Sequence, residues 1–150
     1  MLFLQEKTRN ILNELLVDVF NHILDIEQNQ LKKNGVNLSM NEVHVLEAVT
    51  LVKEPKMGDI AEKLRITVGS LTTSVNRLVK KGYIVRRDDE KDRRKVLLEL
   101  TESAQKVLKV HEEFHNHLIY SLFLDMKIED EVVLIKSLEN ILSFFKLKLN

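Results

Sequence analysis

One proline (Pro55) and four glycines (Gly35, Gly58, Gly69 and Gly82) are the only strong helix breakers in 150 residues. A chain so rarely interrupted is predicted to be built mainly of helices, and the few breakers say where each one stops. Between 8 and 33, Ile11, Leu12, Leu15, Leu16, Val19, Ile23, Leu24 and Ile26 recur at helical spacing. That stripe predicts one long amphipathic helix ending near Gly35. Ser39, with Glu42 three positions on, is a capping box for a second helix over 40–52. Ile60, Ala61 and Leu64 mark a short third helix over 58–64. Thr67 caps a fourth over 68–81, with Lys80 and Lys81 in its last turn and Gly82 as the terminator.

The texture changes at residue 83. Tyr83-Ile-Val-Arg-Arg and Lys95-Val-Leu-Leu-Glu-Leu are short β-favouring runs, separated by the charged stretch that begins at Asp88. They predict a hairpin with its tip near 89–93. Two more helical stripes follow. The fifth helix starts at Thr101 and carries Ala104, Val107, Leu108, Phe114, Leu118 and Leu122. The last, about 129–148, carries Val132, Ile135, Leu138, Ile141, Leu142 and Phe145. The predicted order is αααα-ββ-αα, a mainly α fold in a single domain.

Composition removes several function classes. No Cys is present, so disulfides, thiolate nucleophiles and Cys-based zinc sites are absent. There is no glycine-rich phosphate loop and no Gly-x-Ser-x-Gly elbow, so catalysis is not expected. No apolar run is long enough to span a bilayer, and the start of the chain turns charged at Glu6 and Lys7. A cytoplasmic protein with no membrane partner is expected.

The charge is sorted along the chain. Residues 65–95 hold ten basic groups and four acidic ones, a net of +6, although the whole chain is neutral. Six of the seven arginines lie there, and the planar arginine fork suits phosphates and guanine edges. Helices 58–64 and 68–81 are joined by Arg65-Ile66-Thr67, the short connection of a helix-turn-helix. In the second of them, Leu71, Val75, Leu78 and Val79 share one face. The other face offers Gly69, Ser70, Thr72, Thr73, Asn76, Arg77 and Lys80, and no acidic residue occurs over 68–81. Small polar groups early and cations late are what a helix entering the major groove of double-stranded DNA requires.

Three stretches together resemble the MarR family of winged-helix transcription regulators. They are Gly58-Asp-Ile-Ala-Glu-Lys-Leu, then Ser70-Leu-Thr-Thr-Ser-Val-Asn-Arg-Leu-Val-Lys-Lys-Gly-Tyr-Ile, then Asp88-Asp-Glu-Lys-Asp-Arg-Arg-Lys-Val-Leu-Leu-Glu-Leu-Thr. The family's Asp-x-Arg-x-x-x-Leu wing signature falls on Asp92, Arg94 and Leu98. The resemblance covers nearly the whole chain. It implies a winged helix-turn-helix lobe over 36–100, with dimerisation helices over 1–35 and 101–150. It implies a homodimer on an inverted-repeat operator, acting as a repressor. Ser70, Thr72, Thr73, Asn76, Arg77 and Lys80 would then meet the major groove. Arg86, Asp92, Arg93, Arg94 and Lys95 would form the DNA-binding wing, with Asp92 holding Arg94 for the minor groove. Phe144, Phe145, Leu147 and Leu149 add apolar surface to the last helix that a second subunit would cover. The other reading of the lobe is a protein-interaction module that binds no DNA.

The histidines leave the signal open. His111 and His115 are four apart within the apolar stripe of the fifth helix, and His44 sits among Val43, Val45 and Leu46. Zinc-responsive members of the family carry histidines at such places, which makes His44, His111 and His115 the alternative metal set, with Glu27 as a fourth ligand. The segment Phe20-Asn-His-Ile-Leu-Asp-Ile-Glu27 resembles the family's repressors of fatty-acid synthesis more closely. That resemblance implies long-chain acyl-acyl carrier protein as co-repressor. An acyl tunnel would need Leu16, Phe20, Leu24, Val43, Leu46, Phe114 and Leu118 around it, with Glu27, His44, His111 and His115 as polar groups near its mouth. The histidines would otherwise be satisfied core polars. No cofactor is required and no metal is favoured.

Overall fold

Local caps determine where the elements begin. In a computed structural model of the chain, which describes residues 5–90, 92 and 94–148 (for residue 128 the backbone alone), the Ser39 hydroxyl accepts from the Glu42 N–H at 3.2 Å. The Glu42 carboxylate accepts in return from the Ser39 N–H at 2.9 Å, completing the capping box. Thr67 Oγ1 accepts from the Ser70 N–H at 3.1 Å and starts the fourth helix. The elements are α1 (Glu6–Lys33), α2 (Met40–Leu51), α3 (Met57–Leu64), α4 (Val68–Lys80), β1 (Ile84–Asp88), β2 (Val96–Leu100), α5 (Glu102–Phe123) and α6 (Ile128–Lys148). The predicted mainly α winged-helix order therefore holds.

Both strands begin one residue later than expected, which shifts β1 to Asp88 at its end and shortens β2, and backbone hydrogen bonds explain it. The Tyr83 N–H donates to Leu78 O at 2.9 Å and the Gly82 N–H to Val79 O at 3.0 Å, closing α4. Tyr83 is therefore committed to the helix end. The Lys95 N–H donates to Asp92 O at 2.8 Å and so belongs to the hairpin turn. β1 and β2 pair antiparallel with Ile84 opposite Leu100 and Arg86 opposite Leu98. The Leu98 N–H donates to Pro55 O at 2.9 Å, so the α2–α3 connection flanks β2. Thr101 Oγ1 donates to Gly82 O at 2.8 Å and ties the hairpin base to the end of α4.

The chain divides into two compact units within α5, the first ending at Glu112 and the second starting at Glu113. The first has its core around α2, which buries Val43, Val45, Leu46, Ala48 and Val49. Leu31, Ile60, Leu71, Val75, Leu78, Ile84, Leu98, Ala104 and Val107 complete it. Such burial contributes roughly 1.5–3 kcal/mol per large side chain. The rest of α1 is exposed along most of its length, Leu15, Leu16, Val19 and Phe20 among its apolar residues. In the second unit α6 has Glu129, Asp130 and Glu131 in its first turn and Lys146 and Lys148 in its last, the charge order a helix dipole favours. Val132, Ile135, Leu138, Leu142, Phe144 and Phe145 of α6 are exposed. Among the described residues, no helix is long and apolar enough to cross a membrane.

Candidate nucleic-acid interface

α3 and α4 meet through a sharp turn. Arg65 takes the left-handed conformation (φ 55°), and the Ile66 N–H closes on Ala61 O at 3.1 Å. The turn allows α4 to drive Leu71, Val75 and Leu78 into the core, each 0% exposed, with Val79 half-buried. The opposite face is left to Ser70, Thr73, Asn76, Arg77 and Lys80, all exposed, and to Thr72, which is half-buried. Thr72 Oγ1 donates to Val68 O at 2.8 Å and Thr73 Oγ1 to Gly69 O at 3.3 Å. Their protons are spent on the helix, so the hydroxyls present acceptor lone pairs outward. Arg77 and Lys80 hold no ion pair among the described residues.

The wing is organised by Asp92. Its Oδ1 accepts from the Arg94 N–H at 3.1 Å and lies 3.5 Å from Arg94 Nε. Its Oδ2 lies 3.8 Å from Lys95 Nζ. Asp92 is half-buried, whereas the Arg94 side chain is 94% exposed. The tether therefore holds the Arg94 backbone and meets its guanidinium only at Nε, leaving the side chain exposed to solvent. Arg93 lies outside the described residues.

Arg86 does not extend into solvent as Arg94 does. Its Nη2 donates to Asn76 Oδ1 at 2.6 Å, joining β1 to α4. Its neighbour Arg87 instead donates across the hairpin to Glu99 Oε1 at 3.0 Å. A second tether holds the C-terminal end of α4. Lys81 Nζ donates to Asn37 O at 3.0 Å and to both carboxylate oxygens of Glu42 at 3.0 Å. Burial opposes the charge on Glu42, but the Ser39 N–H and the Lys81 ammonium outweigh it and hold its carboxyl below the usual value. Neither tether was readable in the sequence, because no local pattern pairs its partners, and the left-handed Arg65 carries no glycine or asparagine to announce it.

The histidine region differs from the expected tunnel. Val43 and Leu46 are both 0% exposed and belong to the close-packed core, so they border no lumen. Phe20 is 64% exposed, and Leu16 and Leu24 are exposed with it. Within the first unit, Glu27 and His111 are buried, and their ligand atoms lie within 4.8 Å of each other. The His44 ring meets the His111 ring edge-on, with centroids 6.1 Å apart. His44 also borders a cavity of about 260 Å³ shared with Asn41, Val45, Leu64, Ile66, Ser70 and Ser74. This space faces α4, not the α1 side where the tunnel was expected. In the second unit Phe114 and His115 are half-buried, with ring centroids 5.4 Å apart.

The comparisons with known proteins agree on the architecture. A model of the MarR family matches residues 35–95. Streptococcus pneumoniae FabT, solved in complex with DNA, is 30% identical with a TM-score of 0.80, the match covering 95% of this chain and 99% of that one. The transcriptional regulator BldR from Sulfolobus solfataricus is 27% identical with a TM-score of 0.60, covering 93% and 99%. The uncharacterized HTH-type transcriptional regulator YfiV of Bacillus subtilis is 35% identical over 88 residues. That match takes in 58% of this chain and spans about half, 55%, of the length of YfiV.

Proposed function

The chain belongs to the MarR family of DNA-binding transcriptional regulators, and from that premise we propose that it binds an inverted-repeat operator as a homodimer and represses transcription there. It is a regulator and not an enzyme, as its relatives are. The observation that carries the proposal is the outer face of α4. Ser70, Thr72, Thr73 and Asn76 offer hydrogen-bonding groups without any carboxylate, and Arg77 and Lys80 follow as cations that hold no ion pair among the described residues. This face enters the major groove, its polar groups meeting base edges and its cations meeting phosphates. Arg94, tethered at its base by Asp92, reaches into the adjacent minor groove, with Lys95 on the phosphates beside it. The exposed apolar residues of α1 and α6 support the homodimer, because a soluble chain covers that much apolar surface with a partner. Two recognition helices would then sit about one turn of DNA apart, ~34–36 Å. The protein acts in the cytoplasm, where its operator lies.

For the signal we propose a long-chain acyl group delivered by acyl carrier protein, acting as co-repressor. The resemblance of Phe20–Glu27 to the repressors of fatty-acid synthesis supports this, as does the full-length likeness to FabT. In a dimer the exposed Leu16, Phe20 and Leu24 supply its apolar contacts. The proximity of Glu27 to His111, with His44 against His111 and His115 one helical turn further along α5, favours zinc as the second reading.

One titration separates the two. Labelled DNA from upstream of the gene is titrated with protein in EDTA, with and without long-chain acyl-acyl carrier protein, and then with zinc in place of EDTA. Tightening that depends on acyl chain length supports the acyl reading. A response to zinc alone replaces it with the metal reading. Binding indifferent to both removes both signals and leaves the DNA-binding proposal standing.

A further inference from the structure

Asn76 lies on the outer face of α4 and Arg86 on β1, and the two exposed side chains meet at 2.6 Å. A guanidinium has donors only, so the amide atom facing it must be oxygen. The sense of the Asn76 amide is thereby determined by chemistry: Oδ1 points toward the wing, and the Nδ2 hydrogens point away from Arg86. An exposed pair of this kind does little for stability. It does remove the freedom of Asn76 to turn its amide over and exchange donor for acceptor.

We infer that Arg86 is a positioning residue, setting which base edge Asn76 reads without touching the DNA itself. This rests on the DNA-binding reading above. A clamped Asn76 offers donors, which match the acceptors O6 and N7 of guanine or O4 of thymine. A free asparagine offers either sense and discriminates less. The pair also separates Arg86 from the DNA-contacting part that the wing resemblance gave it.

The test begins with enrichment of binding sequences from a randomised DNA duplex pool by the full-length protein. The variants are Arg86→Ala, Arg86→Lys, Asn76→Ala and the double Arg86→Ala/Asn76→Ala. Anisotropy titrations on the enriched duplex and its single-base variants follow, at several salt concentrations, with thermal melting as the check on folding. The expected result is that Arg86→Ala lowers the preference at one base pair by about tenfold. Asn76→Ala loses preference at the same base pair, and the double variant loses no more. Arg86→Lys, which keeps a donor, retains part of the preference and serves alone if Arg86→Ala does not fold. The slope of log K against log salt stays that of the wild type.

The inference is overturned if Arg86→Ala weakens every duplex alike and makes that slope shallower by about 0.9, the signature of one lost phosphate contact. It is also overturned if Arg86→Ala, or Arg86→Lys where only that variant folds, enriches the same sequences as strongly as the wild type. A wild-type protein that enriches no sequence overturns the DNA-binding reading together with this inference.

Discussion

Gly82 ends α4 in the left-handed region at φ +79°, and a Cβ placed there meets nothing within 4 Å. The cost of a side chain at 82 is therefore conformational and not steric. Gly82→Ala should lower stability by about 1 kcal/mol, read in a urea melt. Gly58 has equal space around it but ordinary helical backbone in α3. Gly58→Ala should raise stability by about 0.5 kcal/mol in the same melt. If both changes move stability the same way, backbone conformation is not what distinguishes these glycines. Arg94→Ala tests the wing at this scale. Its side chain is 94% exposed, so melting should not change while operator affinity falls about tenfold or more. Unchanged affinity would remove Arg94 from the interface. Residues whose roles depend on neighbours in sequence were legible in advance, as Ser39, Thr67 and Gly82 were. Asn76 and Arg86 were each marked as DNA-facing, but their mutual bond was not, because nothing local pairs a helix residue with a strand residue ten positions on.

At the scale of elements, α2 shows how far hydropathy patterning reaches. It buries Val43, Val45, Leu46, Ala48 and Val49, nearly all the way round, so its period says helix but not which side is core. The same pattern made Val43 and Leu46 candidates for tunnel lining, and in the fold both are packed in the core. The capping box of α2 also holds the end of α4, because Glu42 serves both Ser39 and Lys81. That double duty makes a pH prediction. The folded carboxyl titrates below its unfolded value. Its stabilisation is therefore present above the unfolded pKa and is lost as pH falls through the folded one. Glu42→Gln keeps a capping acceptor but loses the ion pair. It should cost about 1 kcal/mol at pH 7 and nothing measurable near pH 2, read as urea midpoints across pH. A cost that stays constant over that range would assign the effect of Glu42 to packing.

For the whole molecule, the chain leaves more apolar surface on α1 and α6 than a stable monomer normally carries. Leu138 and Leu142 lie one turn apart on α6, 50% and 53% exposed. Leu138→Glu with Leu142→Glu should leave the helices intact by circular dichroism and convert the sedimenting species from dimer to monomer. A dimer that persists would place the interface elsewhere. The terminal helices were legible in the sequence as elements, and so was the surplus apolar face of the last one; the exposure of α1 along most of its length is what the structure adds.

On the proposed function, this molecule reads DNA sequence as a dimer through α4. The most direct measurement is an anisotropy titration of the full-length protein on an enriched operator duplex and on a scrambled one, from low to moderate salt. Two chains per duplex are expected, with a preference for the operator of at least about a thousandfold. A linear fall of log K with log salt, of several units in slope, is expected with it. Equal affinity for both duplexes, or binding indifferent to salt, would contradict it.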